Sequence, residues 1–191
     1  MSKAQPPQPS PPQPLTAAPT TPPRAQAPPA APAPTNPEPV RAKEFAAKFT
    51  AKFPSAKVDW TKEHRVKLTV TPQEVGEAAL FVRDSLKFDH ISTVSGVDWI
   101  ARNELEVVYF VGSSVPGLED FVFALAERVP RDDPVVPTLI AVWRGAEYPE
   151  RETHEMFGIN FKGHPSQAHL FLPEDWNDLP PLRKDYVSPG R

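Results

Sequence analysis

The chain has 191 residues and a formal net charge of −3, from 24 acidic and 21 basic side chains. This near-balance gives no electrostatic basis for binding nucleic acid or an anionic membrane surface. The absence of cysteine excludes disulfides, thiolate zinc sites and cysteine-ligated iron–sulfur clusters in this chain. No apolar run reaches the roughly 20 residues of a membrane-spanning helix, and the N-terminus lacks the apolar stretch of a signal peptide. We expect a soluble, intracellular protein with one domain and an appendage.

Proline dominates the N-terminus, where the first 40 positions hold 15 of the 27 prolines. Proline lacks a backbone donor and fixes φ, and this tract has no aromatic residue with which to form a core. The sequence therefore predicts a disordered, polyproline-II-like, Pro/Ala-rich tail over residues 1–40. A spacer role is favoured over a PxxP ligand, because no basic residue stands convincingly beside a PxxP core.

Residues 41–145 carry the patterns of an α+β domain. Phe45, Phe49 and Phe53 recur every four residues, which predicts an amphipathic helix that ends at Pro54. The segments "AKVDW" and "HRVKLTV" around the turn "TKE" have the alternation of two strands. The next helix is predicted over "TPQEVGEAALFVRDSL", with its first residue, a threonine, as the N-cap and proline at the first helical position.

Three further strands complete the predicted sheet. "DHISTVSGVDWI" and "ELEVVYFVG" read as an antiparallel hairpin, with Gly96 as a possible bulge. "EDFVFALAERVP" permits a helix, but the alternation of Phe121, Phe123 and Leu125 favours a strand. The order of elements predicts an α+β fold, with a mostly antiparallel sheet covered by helices on one face.

The last part of the chain, residues 146–191, has a different character. "PTLIAVWRGAEYPERETHEMFG" predicts two short helices broken near Gly145, the second closed by Gly158. The irregular, proline-punctuated segment that follows is rich in large apolar groups, which we expect a partner surface to cover. The sequence therefore predicts a signature helix followed by an extended C-terminal interface segment.

The run "ERETHEMFGINFKGHP" at 150–165 mixes groups that could bind a metal or transfer protons. His154 and Glu155 are adjacent, so on a helix they diverge by about 100°, and the other candidate ligands, His164 and His169, lie ten or more residues away. This spacing disfavours a metal site.

Acid–base chemistry is the second reading of the same run. Glu152, His154 and Glu155 could form the centre of a stand-alone enzyme, but the sequence has no nucleophile motif and no glycine-rich phosphate loop. Arg151 between carboxylates is more typical of an ion-pair network that fixes geometry. "PPLRKDYV", where charged residues alternate with Leu182 and Tyr186, favours an interface strip.

These motifs resemble one family. "ERETHEMFGI" with Phe161, Gly163, His164 and Pro165, then "LPEDW" and "PLRKDY", are similar in type and order to the thirty-kilodalton subunit of respiratory complex I, called the C-subunit in prokaryotic NADH:quinone oxidoreductases. The resemblance covers about residues 45–187 and is most specific after Asp133. The chain departs from it at Ala168 and His169, where the family usually has basic residues.

The resemblance implies a non-catalytic scaffold in the peripheral arm of a proton-pumping complex. Such a subunit binds no cofactor, packs against the quinone-site D-subunit, and lies near subunits that carry iron–sulfur clusters and flavin. It would lie on the cytoplasmic side of the cell membrane, attached only through the complex. The interface residues that it implies are Glu150, Arg151, Glu152, Glu155, Phe157, His164, Pro165, Trp176, Leu182, Arg183, Lys184, Asp185 and Tyr186.

Two alternatives stay open. Related subunits occur in group-4 membrane-bound hydrogenases and in deazaflavin- or ferredoxin-dependent dehydrogenases, which the motifs do not separate. A different class of protein, the stand-alone enzyme that uses Glu152, His154 and Glu155, is the second alternative.

Overall fold

The computed structural model describes residues 40–188, so positions 1–39 of the predicted tail lie outside the described residues. Short 3-10 turns precede β4 and α3. No helix of this part of the chain is long and apolar enough to cross a membrane. In chain order the helices and strands are α1 (Val40–Lys52), β1 (Lys57–Lys62), β2 (Arg65–Val70), α2 (Val75–Asp84), β3 (His90–Trp99), β4 (Glu104–Gly112), β5 (Val122–Pro130), β6 (Val135–Pro137), α3 (Glu147–Phe157) and β7 (Asn160–Lys162).

Five strands form the main sheet in the order β1-β2-β5-β4-β3. Neighbouring strands are antiparallel except β2 and β5, which pair in parallel. The segment that permitted either a helix or a strand is β5, and it lies at the centre of the sheet. The predicted fold class, α+β with a mostly antiparallel sheet, is therefore confirmed.

The core lies between the sheet and the helices. The predicted aromatic stripe of α1 faces it, with Phe49 and Phe53 buried. The partly buried Phe45 meets Phe88 and Phe121 edge-on, at ring-centroid distances of 5.3 and 5.0 Å. Such aromatic pairs stabilise a core beyond the burial of their area. Helix α3 packs on the edge strand β3, and the predicted boundary between residues 145 and 146 stays a prediction.

Helix α2 begins three residues later than predicted, at Val75 in place of the residue after Thr71. Its N-cap is Glu74, which makes no side-chain capping hydrogen bond. Thr71 instead closes a turn, because its carbonyl accepts the N–H groups of Glu74 and Val75 at 3.0 and 3.1 Å. The Thr71 hydroxyl donates to the Glu74 carboxylate at 2.7 Å. Thr71 therefore forms a turn before the helix and is not the N-cap that the sequence predicts.

The predicted bulge at Gly96 was wrong. The register of β3 against β4 shifts between Ile91 and Thr93, and Gly96 pairs regularly with Val107. Glycine is needed at 96 because the ring of Phe157 lies against it. A Cβ added there would stand 2.4 Å from the nearest ring carbon, which is well inside van der Waals contact.

The first of the two helices predicted around Gly145 was also wrong. Residues 140–142 form a turn, and only the 3-10 turn Arg144–Ala146 leads into α3. Strand β6, just before this turn, pairs in parallel with β7, a two-stranded sheet that local patterns did not predict. Tertiary contact decides this region, since the buried Trp143 donates its indole N–H to the Phe88 carbonyl at 3.1 Å.

Replacing Gly96 tests the close approach of α3 to the sheet. Gly96→Ala forces the Phe157 ring to move, so we expect the free energy of unfolding to fall by about 1–3 kcal/mol in urea denaturation. The control is Gly76→Ala on α2, where a new Cβ meets no atom within 4 Å. Alanine there should raise the free energy of unfolding by about 0.5–1 kcal/mol. Equal effects of the two substitutions would contradict this account.

Candidate functional site

Glu150, the first residue of the signature run, lies on α3 and is fully buried. Its Oε1 accepts hydrogen bonds from the Tyr109 hydroxyl at 3.1 Å and from the Leu139 N–H at 2.8 Å. Its Oε2 accepts one from the Thr138 hydroxyl at 2.5 Å. This carboxylate therefore connects α3 to β4 and to the loop after β6. All three hydrogen bonds are made with groups of the same chain.

A second buried carboxyl, Glu127 on β5, has no hydrogen-bond partner on either oxygen within the described residues. Burial, and then the charge of Glu150, raise the pKa of Glu127 well above its usual range. Burial also raises the pKa of Glu150, although the hydrogen bonds from Thr138, Leu139 and Tyr109 partly oppose that effect. A buried acid without a partner is costly when ionised, so Glu127 favours its neutral form.

Arg151 and Glu155 stand one helical turn apart on α3 and hold the same loop. Arg151 donates to the carbonyls of Ala168 and His169, the latter at 2.6 Å. The Glu155 carboxylate accepts the three successive backbone N–H groups of residues 170–172, at 2.9 Å from Leu170. A cation on carbonyls and an anion on N–H groups together fix a loop that has no regular secondary structure.

The same contact shifts the pKa of Glu155. Burial pushes the pKa up, but the three backbone N–H groups outweigh burial and leave the pKa below its usual range. Hydrogen bonds that favour the charged form of a carboxyl have this effect. The contact is therefore strongest when Glu155 is ionised.

The histidines of the signature bind backbone groups. His154 Nδ1 lies 2.8 Å from the Ile159 carbonyl, and His164 Nε2 lies 2.9 Å from the Glu147 carbonyl. His169 Nδ1 lies 2.8 Å from the carbonyl of residue 173. Between residues 40 and 188 no group of three His, Cys, Asp or Glu side chains has the geometry to hold a metal ion.

The three side chains of the acid–base reading do not converge. His154 and Glu155 are each committed to backbone partners, as described above, while Glu152 is exposed. No hydrogen bond joins any two of the three within the described residues. The structure thus gives a proton-transfer pair no geometric basis at this place.

The "PLRKDY" motif fastens the end of the chain to the fold. The Arg183 guanidinium donates to the Phe157 carbonyl at 2.7 Å, which satisfies a carbonyl at the end of α3. The Lys184 N–H donates to Asp98 at 2.8 Å. Arg131 bridges two carboxylates, at 2.8 Å from Asp98 and 2.7 Å from Asp185.

Sequence reasoning missed most of these partners. Asp98 and Arg131 lie 33 residues apart, and Asp185 lies another 54 residues on. Single charges within strands and loops carry no signal that they meet. Only the antiparallel pairing of β3 with β4 and of β4 with β5 brings the first two together.

Other predicted interface residues are exposed or partly exposed. Pro165 is exposed, and Trp176 packs on Tyr186 with 6.0 Å between the ring centroids. We call residues 163–188 the C-terminal segment. We call its exposed large apolar residues the candidate contact surface: Leu170, Phe171, Leu179, Leu182 and Val187. Contact of the predicted interface residues with a partner stays a prediction.

Comparison with known proteins identifies the family. The profile described as "Respiratory-chain NADH dehydrogenase, 30 Kd subunit" matches residues 68–191, well over half of the chain. The chain belongs to this family. It is 39% identical over 147 residues to the C-subunit of F(420)H(2) dehydrogenase from Methanosarcina mazei, covering 76% of this chain and 91% of that protein. It is 38% identical over 144 residues to the C-subunit of NADH-quinone oxidoreductase from Roseiflexus castenholzii, covering 73% and 80%.

Two solved structures share the fold. A chain of the membrane-bound sulfane sulfur reductase, an archaeal respiratory membrane complex, matches with a TM-score of 0.67 and 25% identity, over 77% of this chain and 86% of that one. The trypsin-resistant fragment (1-134) of Nqo5 matches with a TM-score of 0.55 and 25% identity, over 66% of this chain and 98% of the fragment. This member of the 30 kDa family is accordingly a C-subunit of a complex I-like oxidoreductase.

Replacing Glu155 tests its hold on the loop. Glu155→Gln removes the charge and leaves one acceptor oxygen for three N–H groups, so the local cost should be about 1–3 kcal/mol. We expect hydrogen exchange at the amides of residues 170–172 to become at least about tenfold faster. The control is Glu152→Gln on the same helix, which should leave exchange in this loop unchanged. Slow exchange in both variants would contradict the contact described here.

The buried Glu127 predicts a dependence of stability on pH. Its raised pKa means that the folded state keeps a proton which the unfolded chain releases above about pH 4.3. Stability should therefore fall as the pH rises above that value, by up to about 1.4 kcal/mol per pH unit until the folded carboxyl ionises. We expect Glu127→Gln to flatten this dependence in urea denaturation between pH 5 and 8. Glu147→Gln, the control, should keep the wild-type slope, and an unchanged slope in Glu127→Gln would contradict the assignment.

Proposed function

We propose that this chain is a non-catalytic scaffold subunit in the peripheral arm of a proton-pumping NADH:quinone oxidoreductase, where it packs against the quinone-site D-subunit. The observation that carries the proposal is the C-terminal segment, whose backbone is fixed by Arg151, Glu155 and Arg183 while its large apolar side chains face outward. A fixed backbone presents these side chains at low entropic cost, which favours binding to a partner surface.

The chemistry of the signature supports a scaffold role. Its two buried glutamates, its arginine and its histidines bind groups of the chain itself, so they set geometry within the fold. In this proposal iron–sulfur clusters and flavin belong to partner subunits. The chain would lie on the cytoplasmic side of the membrane, attached through the complex.

A second candidate function differs from the first in its electron donor. Of the two curated relatives described above, the one that matches over the greater length belongs to an F(420)H(2) dehydrogenase. The equivalent subunit of a deazaflavin-dependent dehydrogenase is therefore the alternative, with the same scaffold role and a different input module.

Purification of the assembled complex tests the proposal. A tagged chain is recovered from its native membranes in mild detergent, the bound chains are identified by mass spectrometry, and quinone reduction is measured with NADH, reduced deazaflavin and ferredoxin. We expect the D-subunit and cluster-bearing chains to be recovered, with activity only in the assembled complex. NADH-dependent activity supports the first candidate, and deazaflavin-dependent activity supports the second. Recovery of a lone, active chain would overturn both in favour of a stand-alone enzyme.

Phe171, a residue that is 65% exposed, allows a test of the candidate contact surface within the same purification. Phe171→Asp removes an aromatic anchor and adds a charge that binding would have to desolvate, so recovery of partner chains should fall about tenfold or more. The control is Leu80→Asp on α2, an exposed leucine outside the C-terminal segment, which should leave recovery unchanged. Thermal denaturation of both isolated variants should match the wild type. Equal losses in the two variants would argue against a docking role for the C-terminal segment.

A further inference from the structure

Glu152 differs from the other acidic residues of the signature run 150–155. Glu150 and Glu155 each accept three or more hydrogen bonds from the chain itself. Glu152 is exposed, and within residues 40–188 its carboxylate has no hydrogen bond and no ion pair. The fold therefore makes no hydrogen bond with this charge, whereas Glu150 and Glu155 on the same helix are both hydrogen-bonded within the chain.

The Glu152 carboxylate stands beside a cavity. This cavity has a volume of about 140 Å³ and lies between β3 and α3. It is lined by both polar and apolar groups: Ser95, Thr153 and Glu152 contribute the polar side chains, beside the β3 backbone at Gly96. The apolar side chains that line it are Val94, Met156, Phe157 and Leu182. Liquid water takes about 30 Å³ per molecule, so the space would hold a slender chain of a few atoms.

The cavity is continuous with the candidate contact surface. Leu182, which is 52% exposed, belongs both to the cavity wall and to the exposed apolar residues of the C-terminal segment. The backbone N–H of Leu182 donates to the Met156 carbonyl at 3.0 Å, so this wall is held in place. A partner that covers the C-terminal segment would therefore also close this cavity.

A partly apolar cavity whose lining includes an unpaired carboxylate matches one kind of side chain. Lysine and arginine carry a slender aliphatic stem that packs on apolar surface and a cationic head that requires an anion or water. A carboxylate would be repelled by Glu152, and a wholly apolar side chain would leave the charge without a partner while desolvating it.

From this complementarity we infer that the Glu152 cavity receives a basic side chain of the subunit that covers the C-terminal segment, with its stem against Met156 and Leu182 and its head on the Glu152 carboxylate. The inference rests on the proposed scaffold function and names the chemistry that the partner must supply. A charge pair closed off from water in this way contributes to the specificity of assembly, because a partner without the basic group leaves Glu152 buried and unpaired.

Site-specific crosslinking in the assembled complex tests the inference directly. The chain contains no cysteine, so Glu152→Cys carries the sole thiol of the chain and accepts a short photoactivated crosslinker. We expect the crosslink to reach a segment of another subunit that contains a lysine or arginine. A crosslink to residues 1–39 of this chain, to a second copy, to lipid, or to a partner segment without a basic residue would each overturn the inference.

The charge itself is tested by Glu152→Gln. This change keeps the shape of the side chain, so the isolated variant should melt like the wild type while partner affinity falls about tenfold and loses part of its salt dependence. Glu147→Gln, elsewhere on α3, is the control and should change neither. Unchanged affinity and salt dependence in Glu152→Gln would overturn the inference.

These outcomes also separate the inference from the proposed function. If the wild-type chain recovers its partner subunits while the crosslink or the charge test fails, the scaffold role stands and only the basic side chain is excluded. If the wild-type chain recovers no partner subunit, both are overturned.

Discussion

Helix α3 supplies hydrogen-bonding partners to a length of chain that forms no regular secondary structure. Residues after β7 form no helix or strand in the described part of the molecule, so their N–H and C=O groups depend on other partners. Arg151 donates hydrogen bonds to the carbonyls of residues 168–169, and Glu155 accepts them from the N–H groups of residues 170–172. Arg183 donates to the carbonyl at the end of the same helix. Helix α3 thus fixes the first part of the C-terminal segment, and Asp98 and Arg131 help to hold its end.

The helix can do this because a buried carboxylate fixes it in turn. Glu150 is hydrogen-bonded to Tyr109 of the sheet and to the loop after β6, and Phe157 lies directly on the glycine of β3. Both contacts use the side of α3 that faces the sheet, which leaves Arg151 and Glu155 to bind the loop. Helix α3 thus contacts the sheet on one side and holds the surface loop on the other.

This arrangement explains how a run of charged residues typical of an active site serves a structural purpose. Glu150, Arg151 and Glu155 are hydrogen-bonded to groups of the chain itself, an arrangement that fixes geometry. Membership of the 30 kDa subunit family agrees with that conclusion, since its relatives are subunits of larger respiratory complexes. The charge left over, on Glu152, faces outward beside a cavity.

The sequence by itself determined the fold class, the aromatic stripe of α1, the alternation of β2 and β5, and the end of α3 at Gly158, whose φ of 71° suits glycine. These features depend on periodicity and on local backbone preference, which neighbouring residues carry. The start of α2, the two-stranded sheet of β6 and β7, the need for glycine at position 96 and the links from Asp98 to Arg131 and Asp185 were decided only by the tertiary structure. Each depends on groups far apart in the chain, or on a turn that competes with a helix, and the energy of such contacts is set by which elements the fold brings together.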